Sequence, residues 1–322
     1  MKAVTAAAAL LLAAVPAFAG TDSAGDPMAW LQRISAAART LNYTGTFVYQ
    51  QGDRVDSSRI THYVDGTGNE LEKQESLDGP EREVIRRNDE VRCYIPDSKL
   101  LKVEKRRVRK AFPDLIPEQL GPLTENYDVR LGGLERVAGI ECQIVFLEPR
   151  DAMRYGHTLC ADRESGLLMK AVMVDDSKQV VEQFAFTQLT IGGPIDPASL
   201  NPRFSASPGD WREERLAPPA ITETGWTIGN PPPGFRKVME MKRSIPGRGL
   251  QVTHIVLSDG LVAVSVFIEP LGGEKHPRAG FSRRGGINVF ARPVSEHMVT
   301  VLGETPVTTV QTIGNSVSYK GK

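Results

Sequence analysis

Tyr43-Thr44-Gly45-Thr46-Phe47-Val48-Tyr49-Gln50 is the stretch whose period decides the fold. Tyr43, Gly45, Phe47 and Tyr49 alternate with Thr44, Thr46, Val48 and Gln50, so both faces of an extended segment are well filled, as in a strand. Just upstream the period is helical. Asp26-Pro27 supplies an N-cap and a proline at the first helical position, and Trp30, Leu31, Ile34, Ala38 and Leu41 then recur along one face. Downstream, as far as about Ile191, turn signals cut the chain into short strands. They are Asp65-Gly66, Asp78-Gly79, Pro96-Asp97, Gly132-Gly133 and Glu164-Ser165-Gly166. The strands expected between them are 59–64, 70–77, 82–87, 91–95 and 100–105, then 129–131, 140–147, 155–161, 167–174 and 180–189. A helix is expected near 117–123. Such a run of antiparallel strands, with helices to cover its concave face, curls into an open barrel with an apolar interior.

From Gly192 to Pro233 the composition shifts. Pro194, Pro197, Pro202, Pro208, Pro218, Pro219 and Pro231-Pro232-Pro233 interrupt any ladder, which reads as a linker that packs or extends. A smaller unit follows, with strands expected at 251–257, 262–268, 287–291 and 298–302 and a last helix over 306–317. The expected organisation is a leader at 1–19, a large β domain at 26–192, a proline-rich linker at 193–220 and a second domain at 221–322. The fold class is α+β.

The leader assignment rests on Lys2, the apolar run from Ala3 to Val15, and Ala17-Phe18-Ala19, the small-x-small pattern that predicts cleavage after Ala19. That run is shorter than the about 20 residues a membrane-spanning helix needs. Gly20 rather than Cys follows the cut, which argues against a lipid anchor. The mature chain is therefore expected to be soluble, in the periplasm or outside the cell. Lys and Arg together number 39 and so do Asp and Glu, and this balance, with the compartment, argues against nucleic acid as a partner.

No enzymatic constellation emerges. The five histidines, His62, His157, His254, His276 and His297, are far apart and none is near a cysteine pair. There is no Gly-x-Ser-x-Gly or Ser-x-x-Lys motif, and Gly272-Gly273 and Gly285-Gly286 read as turn glycines rather than a phosphate loop. No catalytic residue, metal ligand or cofactor is assigned. Of the three cysteines, Cys142 and Cys160 sit in adjacent expected strands around Asp151, where a cross-strand disulfide and two separate thiols are both open readings. Cys93 reads as a small buried hydrophobe.

Two charge features stand out. Lys99, Lys102, Lys105, Arg106, Arg107, Arg109 and Lys110 oppose a single Glu104. They read either as a charge-blunted edge strand or as a basic lip for phosphate or acidic lipid heads, with Lys102, Lys105, Arg106, Arg107, Arg109 and Lys110 as the candidates. From Gly234 onward twelve Lys and Arg stand against six Asp and Glu, an asymmetry that is either plain solvated surface or a means of steering an acidic partner.

Several segments resemble the RseB/MucB family of sigma-factor regulatory proteins. The opening strand Leu41–Tyr49, Gly79-Pro80 with Arg82-Glu83-Val84, and Tyr94 are similar to its first part. Pro233-Gly234-Phe235, the run Ser258-Asp259-Gly260-Leu261-Val262-Ala263-Val264-Ser265-Val266-Phe267 and Val301-Leu302-Gly303-Glu304-Thr305-Pro306 are similar to its second. The resemblance spans the mature chain in order. It implies a half-closed, lipoprotein-carrier-like barrel capped by helices, joined to a smaller mixed α/β domain. It also implies no catalysis, a partner in the periplasmic part of a RseA/MucA-type anti-sigma factor, and protection of that partner from the site-1 protease. Release would follow from lipopolysaccharide, other acyl-chain ligands or displaced lipoproteins. Phe235, Ser258, Asp259 and Gly260 are the partner-contact candidates, although Asp259-Gly260 serves equally as a turn. Self-association is left open. The rival expectation is a periplasmic carrier of lipids or lipoproteins, which needs only the barrel.

Overall fold

The Asp26 carboxylate accepts a hydrogen bond from the Met28 amide at 2.9 Å, and with Pro27 in the first turn it starts helix α1, Pro27–Thr40. The computed structural model describes residues 25–105, 111–204, 211–215, 220–244, 251–272 and 279–321. The expected leader at 1–19 lies outside the described residues, as do Arg106, Arg107, Arg109 and Lys110. Trp30, Leu31, Ile34, Ala37 and Ala38 are buried along one face of α1, and each large apolar side chain among them contributes on the order of 1.5–3 kcal/mol by leaving water.

Then come β1 (Tyr43–Gln51), β2 (Arg54–Val64), β3 (Glu70–Ser76), β4 (Glu83–Arg87), β5 (Glu90–Ile95) and β6 (Leu100–Lys105). A short helix α2 (Gly121–Asn126) leads into β7 (Tyr127–Val137), β8 (Ile140–Pro149), β9 (Gly156–Asp162), β10 (Leu168–Val174) and β11 (Val180–Ile191). With β12 (Arg212–Arg215) they form one twelve-stranded sheet in the order β12-β6-β5-β4-β3-β2-β1-β11-β10-β9-β8-β7. Two meanders are thus joined where β1 pairs antiparallel with β11. The register slips between Thr46 and Phe47 beside Gly45, whose absent side chain matters: a Cβ there would stand 2.5 Å from the Gln188 carbonyl oxygen. The curled sheet stays open, and α1 with the Phe112–Leu123 stretch fills its concavity around Tyr43, Phe47, Ile60 and Leu159.

Three sequence expectations change. The helix expected near 117–123 forms later, at Gly121–Asn126, with Pro122 in its first turn where the missing N–H is not needed. Gly132-Gly133 is not a turn but an irregularity inside β7, an edge strand, and a Cβ on Gly132 would press 2.6 Å from the Phe146 ring. Part of the proline-rich stretch is strapped to the outer face of the sheet. Leu200 is fully buried, Lys73 Nζ donates to the Asn201 carbonyl at 3.1 Å, and β12 pairs parallel with β6. Phe204 and Trp211 cover Ile85, Tyr94, Leu101 and Val103. A proline blocks a ladder only at its own position, so the proline-free 212–215 can pair with β6, and this face of the sheet has apolar residues to cover.

The second body holds β13 (Trp226–Ile228), β14 (Arg236–Ser244), β15 (Gln251–Ser258), β16 (Ala263–Pro270), β17 (Gly280–Arg284), β18 (Ile287–Val294), β19 (His297–Gly303), α3 (Val307–Ser316) and β20 (Val317–Tyr319). Its sheet runs β14-β15-β16-β19-β18-β17, and Val310 and Ile313 of α3 close its core. β14 and β17 escaped the sequence reading because both are edges, where charges such as Arg236, Lys237, Arg283 and Arg284 replace a second apolar face. The fold class stands as expected: a large, open, helix-capped antiparallel barrel and a smaller body of sheet and helix.

Candidate functional site

A cavity of about 750 Å3 opens in the concave side of the large sheet, within the ~300–1,000 Å3 span of small-molecule sites. Its inner wall is aromatic. Phe112 stacks on Phe184 with ring centroids 5.4 Å apart, Phe47 lies 5.1 Å from Phe112, and Tyr49 lies 4.7 Å from Phe184. Leu115, Ile116, Leu159 and Met173 continue the apolar surface. Charged and polar groups, among them Arg54, Asp56, Arg82, His157 and Glu182, complete the lining. The second body closes one side with Leu261, Val262, Ala263 and Glu304. An aliphatic chain is the chemistry that such a wall accommodates, since it gains burial and has no polar group to leave unpaired.

The two bodies are fastened by a buried charge. Arg154, in the loop between β8 and β9, is 1% exposed, and its guanidinium donates to Asp259 Oδ2 at 2.8 Å. It also donates to both oxygens of Asp151, at 3.0 and 2.9 Å, and to the Pro233 carbonyl at 2.5 Å. The rings of Phe235 and Tyr127 flank it at 5.2 and 5.8 Å. Asp259 is fully buried and saturated: it accepts from the Tyr127 hydroxyl at 3.3 Å and from the amides of Leu261 and Val262 at 2.9 and 2.8 Å. Burial and the Asp259 charge push the Tyr127 hydroxyl above its ordinary range. Further along the seam, Asn288 donates to the Tyr155 hydroxyl at 3.1 Å and Thr309 to the Met153 carbonyl at 2.6 Å.

Pro233-Gly234-Phe235 has a geometric explanation. Gly234 has φ +78°, and a Cβ on it would stand 2.2 Å from Asn126 Oδ1. The Asn126 amide is itself tied to the Pro122 carbonyl at 2.6 Å and has little room to give way. Gly234→Ala is therefore expected to lower stability by about 1–3 kcal/mol, read as a fall in the thermal midpoint. An unchanged midpoint would refute the close approach.

The sequence-derived candidates fall in different places. Phe235 and Asp259 lie inside the seam, so a partner reaches them only if the bodies part. Ser258 and Gly260 are partly buried in the turn that carries Asp259: Ser258 Oγ donates to the Val262 carbonyl at 2.7 Å, and Gly260 has φ +102°. Lys102 is half-buried on the face of β6 opposite Leu101 and Val103, the face that Ile95 of β5 shares with the cavity, and Lys105 is exposed at the strand end. The other four basic candidates lie outside the described residues. Cys142 and Cys160 are joined in a disulfide with Cα atoms 5.4 Å apart. They are diagonal rather than directly opposite, because Cys142 pairs with Asp162 and Ile144 with Cys160. Arg154, Tyr127, Glu182 and Glu304 gave no sequence signal as site residues; an arginine set between Met153 and Tyr155 was the one local hint. Among the described residues no cluster suited to a metal ion is found.

Comparison with known proteins follows this geometry across both bodies. A family model described as the MucB/RseB N-terminal domain matches residues 26–204, and one described as the MucB/RseB C-terminal domain matches residues 220–318. The chain is 32% identical over 322 residues to the sigma factor AlgU regulatory protein MucB of Pseudomonas aeruginosa, covering 96% of this chain and 95% of that one. It is 26% identical over 322 residues to the sigma-E factor regulatory protein RseB of Salmonella typhimurium, covering 97% of each. A crystal structure of MucB in complex with MucA(peri) superposes with a TM-score of 0.73 at 28% identity, over 92% of this chain and all of that one. Crystalline MucB alone gives 0.64 at 27% identity, over 91% of this chain and 98% of that one. With both halves of the molecule matched in order, the chain belongs to the MucB/RseB family.

Proposed function

We propose that this protein works in the periplasm as a regulator without catalytic activity. It binds the periplasmic part of a MucA-type anti-sigma factor, shields it from the site-1 protease, and lets go when an acyl-chain ligand such as lipopolysaccharide occupies the cavity. The division into leader 1–19, barrel 26–192, linker 193–220 and second domain 221–322 belongs to the same proposal. The observation that carries the reading is the end-to-end match to MucB, including MucB held in complex with MucA(peri). The shared cavity supports it physically. A ligand that contacts both bodies has a different affinity for their docked and parted arrangements, and that difference is all that coupling to a partner requires. Lys102, on the cavity face of its strand, fits a ligand with an anionic head beside its chain.

A lipid or lipoprotein carrier is the rival that the apolar cavity favours. A carrier, however, has no need of a second body that walls the cavity with Leu261, Val262 and Ala263. The test is protection of the cognate anti-sigma periplasmic segment from the site-1 protease by the mature chain, with and without lipopolysaccharide. Protection relieved by lipopolysaccharide is the expected result. Absence of both complex and protection would transfer the case to the carrier.

A further inference from the structure

The seam between the two bodies holds two chemically different contacts. At one, Arg154 and Asp259 form a saturated ion pair with both side chains at 0% exposure. At the other, two carboxyl groups meet. Glu182 comes from β11 of the barrel, Glu304 follows β19 of the second body, and both line the shared cavity. The Tyr49 hydroxyl on β1 donates to Glu182 Oε2 at 3.2 Å, and the Gln51 amide donates to Glu304 Oε1 at 3.3 Å. Gln51 is held in turn beneath the β17–β18 hairpin, where a Cβ on Gly285 would stand 2.4 Å from its Oε1.

The surrounding charges leave this pair uncompensated. Arg54 of β2 is engaged with Asp56 at 2.6 Å. His157 of β9 lines the same cavity, and β10 places Met173 opposite Glu182. The hairpin brings Arg283, which donates to the Gly285 carbonyl at 2.9 Å, and the exposed Arg284. Asn288 donates to the carbonyl of Thr305, the residue after Glu304, and to the Tyr155 hydroxyl. Among the described residues neither carboxyl has a lysine or arginine within ion-pair distance. Burial first, and then the neighbouring Glu304, raise Glu182 from 4.5 to about 7. Burial also raises Glu304.

We propose that Glu182 and Glu304 form a proton-dependent clasp between the two bodies, closed while the pair holds a proton and released when both carboxylates are charged. One protonated carboxyl donates to the other and leaves a single partly buried charge. Two carboxylates at this spot repel, and desolvation amplifies the repulsion. The closed form binds the proton more tightly than the parted form, where each group returns towards its ordinary value near 4.5. Closure is therefore fully favoured in acid below that value and is lost as the pH rises through about 7. The Arg154–Asp259 contact, held by five hydrogen-bonding partners of Arg154 and Asp259 beyond the pair itself, is the hinge about which the other contact opens.

The test uses the mature full-length chain, without ligand or partner, so its outcome is independent of the regulatory proposal. Its radius of gyration by small-angle scattering is measured at pH 5.5 and pH 8.0 for the wild type, Glu182→Gln and Glu304→Gln. The ratio of open to closed wild-type molecules is expected to rise about tenfold or more between the two values, a factor of ten per unit of pKa difference. Each glutamine variant keeps the hydrogen bonds but cannot ionise, and it is expected to stay at pH 8.0 as compact as the wild type at pH 5.5. The two substitutions come from different bodies, so if one variant misfolds the other carries the test. Equal wild-type dimensions at both pH values would overturn the clasp. So would an expansion that persists in the folding glutamine variants, or one accompanied by loss of the strand signal in circular dichroism.

Discussion

Arg154→Ala is expected to destabilise the docked protein by about 3–5 kcal/mol, the cost of leaving one member of a buried ion pair without its partner. The substitution strands Asp259, whose side chain is 0% exposed, and leaves the Pro233 carbonyl without its donor. It also removes the planar group lying between Phe235 and Tyr127. Asp259→Ala is expected to cost less, because Arg154 keeps Asp151, whose side chain is 28% exposed, and the Pro233 carbonyl. The double variant Arg154→Met with Asp259→Leu is expected to regain only the part of the loss that comes from the stranded charge, since it still leaves the Pro233 carbonyl, the Tyr127 hydroxyl and the Leu261 and Val262 amides without their partners. Denaturant unfolding monitored separately in each body measures all three. Arg154→Ala within 1 kcal/mol of wild type would show that the seam does not depend on this pair.

Replacing Cys142 and Cys160 together by alanine is expected to cost about 3 kcal/mol, as for other loops near 15 residues, because the cross-link spans 18 residues and restricts the unfolded chain. Both side chains are buried beside Val137 and Met169, so the smaller alanines also leave space at the far end of the sheet from β12. β7 lies at the open edge of the barrel and pairs on one side only, with β8, which leaves this corner dependent on the constraint. Wild type under reductant is expected to lose most of the same stability, with a midpoint above that of the double variant because the two sulfurs still fill the space. A midpoint insensitive to reductant would mean that the two thiols are not joined.

The disulfide illustrates how far local reading extends. Alternation placed Cys142 and Cys160 in neighbouring strands, but the register of β8 against β9 made them diagonal, and the loop between them is the one that turns Arg154 into the seam. The signature around Ser258–Phe267 was legible as sequence. Its physical meaning was not, since Asp259 serves a partner 105 residues away and Leu261 to Ala263 wall a cavity belonging to the other body. Gly132-Gly133 misled in the opposite sense, because glycine permits a turn and an irregular strand equally and only the neighbouring Phe146 decides between them.

By itself the sequence determined the helical start at Asp26-Pro27, the long antiparallel meander, the break in composition after Gly192, four of the eight described strands of the second body, the absence of an enzymatic motif and the family. These are properties written in nearest-neighbour periodicity, which reports which face of an element meets water. Tertiary structure alone decided that Arg154 meets Asp259, that Glu182 faces Glu304, that Gln51 lies under Gly285, and that the proline-rich stretch is strapped to β6. A single charged residue in a chain carries no mark of its desolvation. That energy exists only once distant segments pack around it, so the residues that join and part the two bodies become visible only in the fold.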